Sequence, residues 1–302
     1  MVGACGLGGL ADHTYLWTQA SAQSHALLRH WLGHYMEQGV RLATHASVHL
    51  EPSQSDRELE LALEALAAHQ VRNVTVLERG MNSSGLAARL RNGVNTFLGL
   101  LPEDAWLIWA DVDEFFTWPC NVAQMLKQTR LSAACGRMSD RLAQGLIGMR
   151  KVTHATSLFE QFPVCSTLRR RIGGVAAKLT LLRSRINGQV PRFVTAHTAV
   201  VRGQSMGGQS RQRCLNVGAF DHFSTTLEAA ALASRKREDF AAGEAPSFAP
   251  AYTRLLALVD WKAPRPKGTL PFTSQAQHEM GRILEPCPNR SVQTIALPRG
   301  WS

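Results

Sequence analysis

The sequence lacks long apolar runs and internal repeats. No stretch approaches the roughly 18 to 20 consecutive apolar residues that cross a bilayer. The first residues, MVGACGLGGLADHTYLW, also lack the basic start and the long apolar core of a secretory signal. We therefore expect a soluble chain without a transmembrane segment.

Closely spaced cysteines are absent as well. The chain has six cysteines, and all are widely separated: Cys5, Cys120, Cys135, Cys165, Cys214 and Cys287. Because none stands in a CxxC or similar spacing, a zinc site built on thiolates is not expected. Their even number leaves disulfides in a secretory lumen open, but we favour scattered buried thiols for a chain of this length. We accordingly favour the cytoplasm over the Golgi lumen.

An excess of acidic residues is also missing. The net charge is +10, which attracts polyanions such as nucleic acid, anionic lipid or a phosphorylated substrate. Aromatic residues make up only 7% and are not interleaved with the basic run Arg169 to Arg171, as stacking platforms for bases require. A nucleic-acid-binding protein is therefore the least favoured class, and no nucleic acid is expected as a partner.

The first half of the sequence alternates between helix and strand patterns. Residues 25–40 place apolar side chains at helical spacing, ATHASVHLEP alternates as a strand does, and residues 53–70 form a second helical pattern capped by Ser53 or Ser55. Residues 105–110, AWLIWA, are apolar throughout, which is typical of a strand buried on both faces of a parallel sheet. The sequence thus predicts an α/β fold, a doubly wound and mostly parallel sheet with helices on both faces.

The second half is less regular. Strands are predicted over residues 175–186 and 193–202, and residues 210–223 are interpreted as a loop that leads into a third strand. Helices are predicted over residues 225–243 and from Tyr252 to Val259.

The composition favours one domain between two appendages. An apolar share of 45% is enough for a sizeable core, and one core accommodates about 250 to 300 residues. We assign residues 1–24 to an N-terminal segment, residues 25–262 to the domain, and residues 263–302 to a basic, proline-containing tail.

Asp111 and Asp113 are the clearest candidates for chemistry. They stand two residues apart where the chain leaves the apolar strand, so both side chains point the same way, at the sheet edge where α/β folds bind ligands. Two such anions repel unless a cation lies between them, and a hard divalent ion also binds substrate phosphates. A solvated turn or a helix cap is the plainer alternative. The buried strand before the motif and the bulky Phe115 and Phe116 after it favour a site anchored in the core.

Two other carboxylate motifs can be compared with this one. A calcium-binding EF-hand loop needs an oxygen ligand and a glycine where the chain has Phe115 and Phe116, so it is excluded. A phosphohydrolase of the haloacid-dehalogenase type, with Asp111 as nucleophile, stays open as the alternative enzyme, although Phe115 stands where such enzymes carry Thr or Val.

At these residues the sequence resembles the GT-A-fold glycosyltransferases related to families 2 and 92. Two motifs carry the resemblance, the helix WLGHYMEQGV at residues 31–40 and the strand end DVDEFF at residues 111–116. Further elements follow in the same order: Asp140-Arg141-Leu142, Phe159 to Pro163, Lys178 to Arg183, His197, and His222-Phe223 before Thr226-Leu227-Glu228. Relatives also begin with a strand before the first helix, and residues 1–24 show no clear copy of it.

The resemblance implies a GT-A-like fold, a nucleoside-diphosphate sugar as donor, a divalent metal ion and a glycan or other hydroxyl acceptor. It makes Asp113 the principal metal ligand, Asp111 a ligand of the metal or of the donor, and His222 the ligand that closes the site. An imidazole ligand fits Mn²⁺ better than Mg²⁺. Asp56 and Lys178 are implied to contact the donor.

Sugar transfer also needs a base that takes the proton of the acceptor hydroxyl. If the enzyme inverts the anomeric centre, as relatives are thought to, a carboxylate must lie on the acceptor side, and Asp140 and Glu160 are the candidates. Each has an ordinary alternative: Asp140 paired with Arg141 or Arg137, and Glu160 capping a turn. The histidine and tyrosine of the first motif, His34 and Tyr35, are interpreted as packing residues.

Overall fold

The computed structural model describes residues 6–79, 83–144, 148–171, 177–195, 198–207, 214–227, 249–260, 269–285 and 287. His197 lies outside these ranges, as does the helix predicted over residues 225–243 from residue 228 onward.

Helices and strands alternate along the described chain. The helices are α1 His25–Glu37, α2 Leu42–His45, α3 Asp56–Ala68, α4 Ser83–Leu100, α5 Val122–Thr129, α6 Leu158–Gln161, α7 Leu168–Arg171, α8 Ala249–Ala257 and α9 Ser274–Gly281. The strands are β1 Thr14–Ser21, β2 Ala46–Glu51, β3 Asn73–Val76, β4 Trp106–Trp109, β5 Glu114–Phe115, β6 Ala133–Leu142, β7 Gly148–Arg150, β8 Val164–Ser166, β9 Ala177–Arg183, β10 Arg192–Thr195, β11 Thr198–Val201, β12 Gln204–Gly207, β13 Leu215–His222, β14 Thr269–Pro271 and β15 Leu284–Glu285.

Most strands join one central sheet in the order β15-β8-β6-β9-β4-β1-β2-β3, with β13 beside β6 and β5 beside β13. Strands β1 to β4 pair in parallel, because helices cross over between them. From β4 outward, β9, β6, β8 and β15 pair antiparallel, while β13 returns parallel to β6. The α/β prediction is confirmed, but the parallel arrangement is confined mainly to the first half, and the sheet as a whole is mixed.

Strand β1 lies in the middle of this sheet, between β2 and β4. The sequence pattern gave no sign of it, since the strand carries Thr14 and Thr18 at fully buried positions. The Thr18 hydroxyl donates to the carbonyl of Ala110 at 2.6 Å, so its polar group is satisfied inside the core. The predicted N-terminal segment therefore contains a central strand. Similarly, β15, which lies in the predicted tail, pairs with β8 at one edge of the sheet.

Both faces of the sheet are buried, as the apolar run predicts. On one face Leu16 and Ile108 pack in the cluster that contains Trp31 of α1. On the other, Trp17 and Trp109 pack with residues of α4. This alternation along β1 and β4 leaves only the strand ends for polar chemistry.

The cysteines that the structure describes form disulfides, which corrects the expectation of free thiols. Cys135 is bonded to Cys214 and Cys165 to Cys287, and Cys120 is disulfide-bonded as well. No cysteine in the described ranges is free. Disulfides persist in oxidising compartments, so these bonds weigh against the cytoplasmic location. Within the described parts of the chain, no helix is long and apolar enough to span a membrane.

Candidate metal and donor site

The loop after β4 is fixed by its own hydrogen bonds. The N–H of Glu114 donates to the carbonyl of Asp111 at 3.0 Å, which closes a turn across Val112 and Asp113. The Glu114 carboxylate accepts from the N–H of Asp111 at 2.9 Å. Because Glu114 is only 1% exposed, the turn is anchored from below while Asp111 and Asp113 remain accessible.

Lys178 of β9 lies beneath this loop and is completely buried. Its Nζ is 2.6 Å from a Glu114 carboxylate oxygen and 3.3 Å from an Asp111 carboxylate oxygen. Burial raises the pKa of Glu114 to about 7, although Lys178 opposes that shift. Burial would by itself lower the pKa of Lys178, but Asp111 and Glu114 raise it above its ordinary value. The lysine thus stays charged and compensates the carboxylates above it.

His222, at the end of β13, faces the loop from the other side. Its Nε2 is 3.4 Å from Asp113 Oδ2, and its Nδ1 is 2.7 Å from Asp140 Oδ1. The register of β13 explains the approach, because His222 stands opposite Glu114 of β5 and the N–H of Phe223 donates to the Asp113 carbonyl at 2.7 Å. Burial would lower the pKa of His222, but the two aspartates outweigh it and raise that pKa to about 10.

Asp140 lies under His222 and is completely buried. Besides His222, it accepts a hydrogen bond from the Ser224 hydroxyl at 2.9 Å. The two arginines predicted as partners of Asp140 form other ion pairs: Arg141 Nε donates to Asp221 at 2.5 Å, and Arg137 pairs with Glu285 at 3.1 Å. A base must touch the acceptor hydroxyl, and a fully buried carboxylate is poorly placed to do so.

Helix α1 braces the same loop. The Tyr35 hydroxyl, fully buried, donates to the Glu114 carbonyl at 3.2 Å and accepts from the N–H of Phe116 at 3.2 Å. The His34 Nε2 is 2.7 Å from the Phe116 carbonyl. Both side chains therefore fix the loop backbone in addition to packing. The motif that contains them marked their position in the sequence, but only the fold shows which loop they hold.

Glu160 and Asp56 lie apart from this group. Glu160 is exposed at the start of α6, where its carboxylate accepts from the N–H of Ser157 at 3.2 Å in a capping box. This is the alternative that the sequence left open for Glu160. Asp56 begins α3, beyond the end of β2, and forms an exposed ion pair with Arg79. Asp56 lies at the same carboxyl-terminal end of the parallel strands as Asp111, and the strands that precede the two residues, β2 and β4, are two positions apart in the sheet.

A divalent ion fits part of this arrangement. Adjacent ligands on one octahedral ion, with bonds of about 2.1 Å, lie about 3 Å apart, and the Asp113 oxygen and His222 nitrogen are 3.4 Å apart. The Asp111 side chain is 50% exposed but turned to Lys178. Among the described residues, no group of three or more His, Cys, Asp or Glu side chains has metal-holding geometry. The carboxylate of Asp113 and the imidazole of His222 are donor types that suit Mn²⁺.

Comparisons with known proteins give fold likenesses only. No family model and no curated protein matches the chain. Among solved structures, residues 1–349 of S. aureus TarS align at 12% identity over 81% of this chain and 69% of that one, with a TM-score of 0.37. A Pyrobaculum calidifontis mannosyltransferase, solved with GDP-Man and Mn²⁺, aligns at 12% identity over 81% and 69%, with a TM-score of 0.33. A 4-diphosphocytidyl-2C-methyl-D-erythritol synthase aligns at 17% over 57% and 75%, with a TM-score of 0.31. Likenesses of this size do not assign the chain to a family.

Proposed function

We propose that the chain is a metal-dependent glycosyltransferase that moves a sugar from a nucleoside-diphosphate sugar to an acceptor hydroxyl, with inversion. The observation that carries this proposal is the approach of His222 Nε2 to within 3.4 Å of Asp113 Oδ2, next to Asp111 at the end of a buried strand. Carboxylate and imidazole donors from distant parts of the chain meet there at an accessible edge of the sheet. This donor set suits an ion that also binds a diphosphate.

Asp113 and His222 would hold the ion, and Asp111 would complete the site or contact the donor. When bound, Mn²⁺ or Mg²⁺ stabilises the negative charge that develops on the departing diphosphate. Lys178 keeps the loop in place from below, because its ammonium group balances Glu114 and Asp111. The turn is thereby rigid before any ligand arrives, which lowers the cost of organising the site.

The remaining candidate residues keep narrower roles in this proposal. Asp56 would contact the nucleoside end of the donor, which its place at the start of α3, just after β2, supports. Glu160 is exposed and is the better of the two candidates for the base, since Asp140 is buried. Its carboxylate would have to leave the N–H of Ser157 to accept the proton of an acceptor hydroxyl.

The proposal predicts metal-dependent binding of a nucleoside diphosphate. Thermal unfolding of the full chain is measured with UDP, GDP, CDP and ADP, each with Mn²⁺ or with EDTA. At least one of these nucleotides should raise the melting temperature when Mn²⁺ is present, because a ligand that binds only the native state stabilises it. Asp113→Asn should remove that rise in melting temperature. The wild type, but not Asp113→Asn, should slowly hydrolyse the nucleotide sugar that carries the stabilising nucleoside diphosphate.

Asp12→Asn is the matched control for this experiment. Asp12 is exposed and pairs with Arg41 at the surface, so this variant should respond to the nucleotide as the wild type does. Equal Mn²⁺-dependent stabilisation of Asp113→Asn and wild type would contradict the proposal. Metal-dependent phosphate release from simple phosphate esters, lost in Asp111→Asn, would instead support the phosphohydrolase alternative.

A further inference from the structure

His222 is held in one orientation by groups that lie behind it. Its Nδ1 is 2.7 Å from Asp140 Oδ1, and the same carboxylate oxygen accepts from the Ser224 hydroxyl at 2.9 Å. Strands β6 and β13 run parallel with Asp140 opposite His222, so the two side chains leave the sheet on the same side. The contact therefore follows from strand register rather than from a mobile loop.

We propose that Asp140, assisted by Ser224, is a positioning residue that fixes which nitrogen of His222 faces the metal ion. This inference rests on the proposed function, because it needs an ion bound between His222 and Asp113. It also replaces the predicted role of Asp140 as the base by a different one. Asp140 does not touch the substrate; it acts through the imidazole.

Hydrogen-bond chemistry sets the direction of this effect. An ionised carboxylate can only accept hydrogen bonds, so the nitrogen that faces Asp140 must carry the proton. In the neutral imidazole that a metal ion binds, the other nitrogen, Nε2, is left with its lone pair toward Asp113, where the ion would lie. A carboxylate behind a metal-binding histidine orients the ring and increases the basicity of the ligating nitrogen.

Burial makes this role more specific than a general packing role. Asp140 is completely buried, and a buried carboxylate persists only where several hydrogen bonds satisfy it. Its chain neighbour Arg141 donates to Asp221, while the Asp140 carboxylate contacts His222 and Ser224. The Asp140 carboxylate is therefore directed at the imidazole.

Direct measurement of Mn²⁺ binding tests the inference. Free and bound Mn²⁺ are counted by electron paramagnetic resonance in the full chain without any nucleotide, at a temperature where each variant is folded. Asp140→Asn should weaken Mn²⁺ binding about 10- to 100-fold, the usual loss for such an outer carboxylate. Ser224→Ala, which removes only the supporting hydrogen bond, should weaken it less.

The preference for Mn²⁺ over Mg²⁺ distinguishes positioning from a merely structural role. Mg²⁺ relies on oxygen ligands, so loss of a well-placed imidazole should reduce the affinity for Mn²⁺ more than that for Mg²⁺. Asp221→Asn is the matched control, since Asp221 is also buried on β13 but points to the opposite face, toward Arg141. That variant should lower thermal stability in EDTA and leave the Mn²⁺ to Mg²⁺ preference unchanged.

Three outcomes have distinct meanings. A weaker and less selective Mn²⁺ site in Asp140→Asn and Ser224→Ala supports the inference. Wild-type Mn²⁺ affinity in both variants, together with loss of Mn²⁺ binding in Asp113→Asn, overturns the inference and leaves the proposed function standing. Unchanged Mn²⁺ binding in Asp113→Asn contradicts the metal site itself, and this inference falls with it.

Discussion

Lys178 and Glu114 form a buried ion pair directly below the half-exposed Asp111. Both side chains are at most 1% exposed, and their charged atoms are 2.6 Å apart. Taking two charges out of water is costly, so such a pair adds little net stability but penalises the loss of one partner. At the scale of single residues, the candidate site is therefore built on charges that compensate each other below the accessible pair.

Removal of one partner should be far more damaging than removal of both. We expect Lys178→Met to lower the free energy of unfolding by about 3 to 5 kcal/mol, because the buried Glu114 loses its counter-ion and must either take up a proton or remain an uncompensated charge. The double variant Lys178→Met/Glu114→Gln should recover part of that loss, since glutamine still accepts from the N–H of Asp111. Urea denaturation of the wild type, both single variants and the double variant gives the coupling energy. Additive losses would contradict a direct interaction between the two side chains.

Strand β1 and helix α4 show how elements pack around the site. The Gly93 position of α4 lies against β1 and β2, and a Cβ there would be 2.9 Å from Cε1 of His49 and 3.3 Å from the Trp17 ring. The glycine thus permits the close approach of the helix to the sheet. Helix propensity alone would favour alanine at this place, so the packing of the element decides the residue.

A pair of glycine substitutions in α4 separates packing from propensity. Gly93→Ala should destabilise the protein by about 1 to 3 kcal/mol, because a methyl group forces His49 or the helix to move. Gly99→Ala, in the same helix with nothing within 4 Å of an added Cβ, should instead be neutral or stabilise by up to about 1 kcal/mol. Thermal unfolding of both variants measures the difference. Equal effects of the two substitutions would contradict the close packing at Gly93.

At the scale of the whole molecule, disulfides tie distant parts of the chain to the sheet. The bond between Cys135 and Cys214 joins residues 79 positions apart, and the bond between Cys165 and Cys287 joins residues 122 positions apart. The second bond lies next to the β8–β15 pairing at the edge of the sheet. Long closed loops of this kind restrict the unfolded chain and thereby favour the folded one.

Reduction of these disulfides should therefore lower the stability of the molecule substantially. Chain entropy predicts a contribution of about 4 to 5 kcal/mol for each bond, so the melting temperature should fall clearly in dithiothreitol. The double variant Cys135→Ser/Cys214→Ser should lose stability in oxidising buffer and respond less to the reductant than the wild type. Alkylation of the denatured, unreduced protein, followed by mass spectrometry, counts free thiols directly. Alkylation at Cys135, Cys165, Cys214 and Cys287 would contradict the bonded state and restore the cytoplasmic expectation.

The sequence by itself determined the features that depend on neighbouring residues. Periodicity predicted α1 and α3, and the AWLIWA run predicted β4. Ser55 was one of two predicted caps for α3, and its side chain accepts a hydrogen bond from the N–H of Glu58. Local spacing also placed Asp111 and Asp113 at a strand end. Each of these signals is contained within one turn or one strand, so no knowledge of the partner elements is required.

Only the tertiary structure decided how those features combine. Strand β1 was missed because it carries buried threonines, and one of them, Thr18, is satisfied by a carbonyl that lies 92 positions away. The contact between Asp140 and His222 joins residues 82 positions apart and depends on the register of two strands. Disulfide pairing likewise depends on which cysteines the folded sheet brings together. Contacts of this range leave no periodic trace in the sequence, because they arise from the order and direction of strands in the sheet.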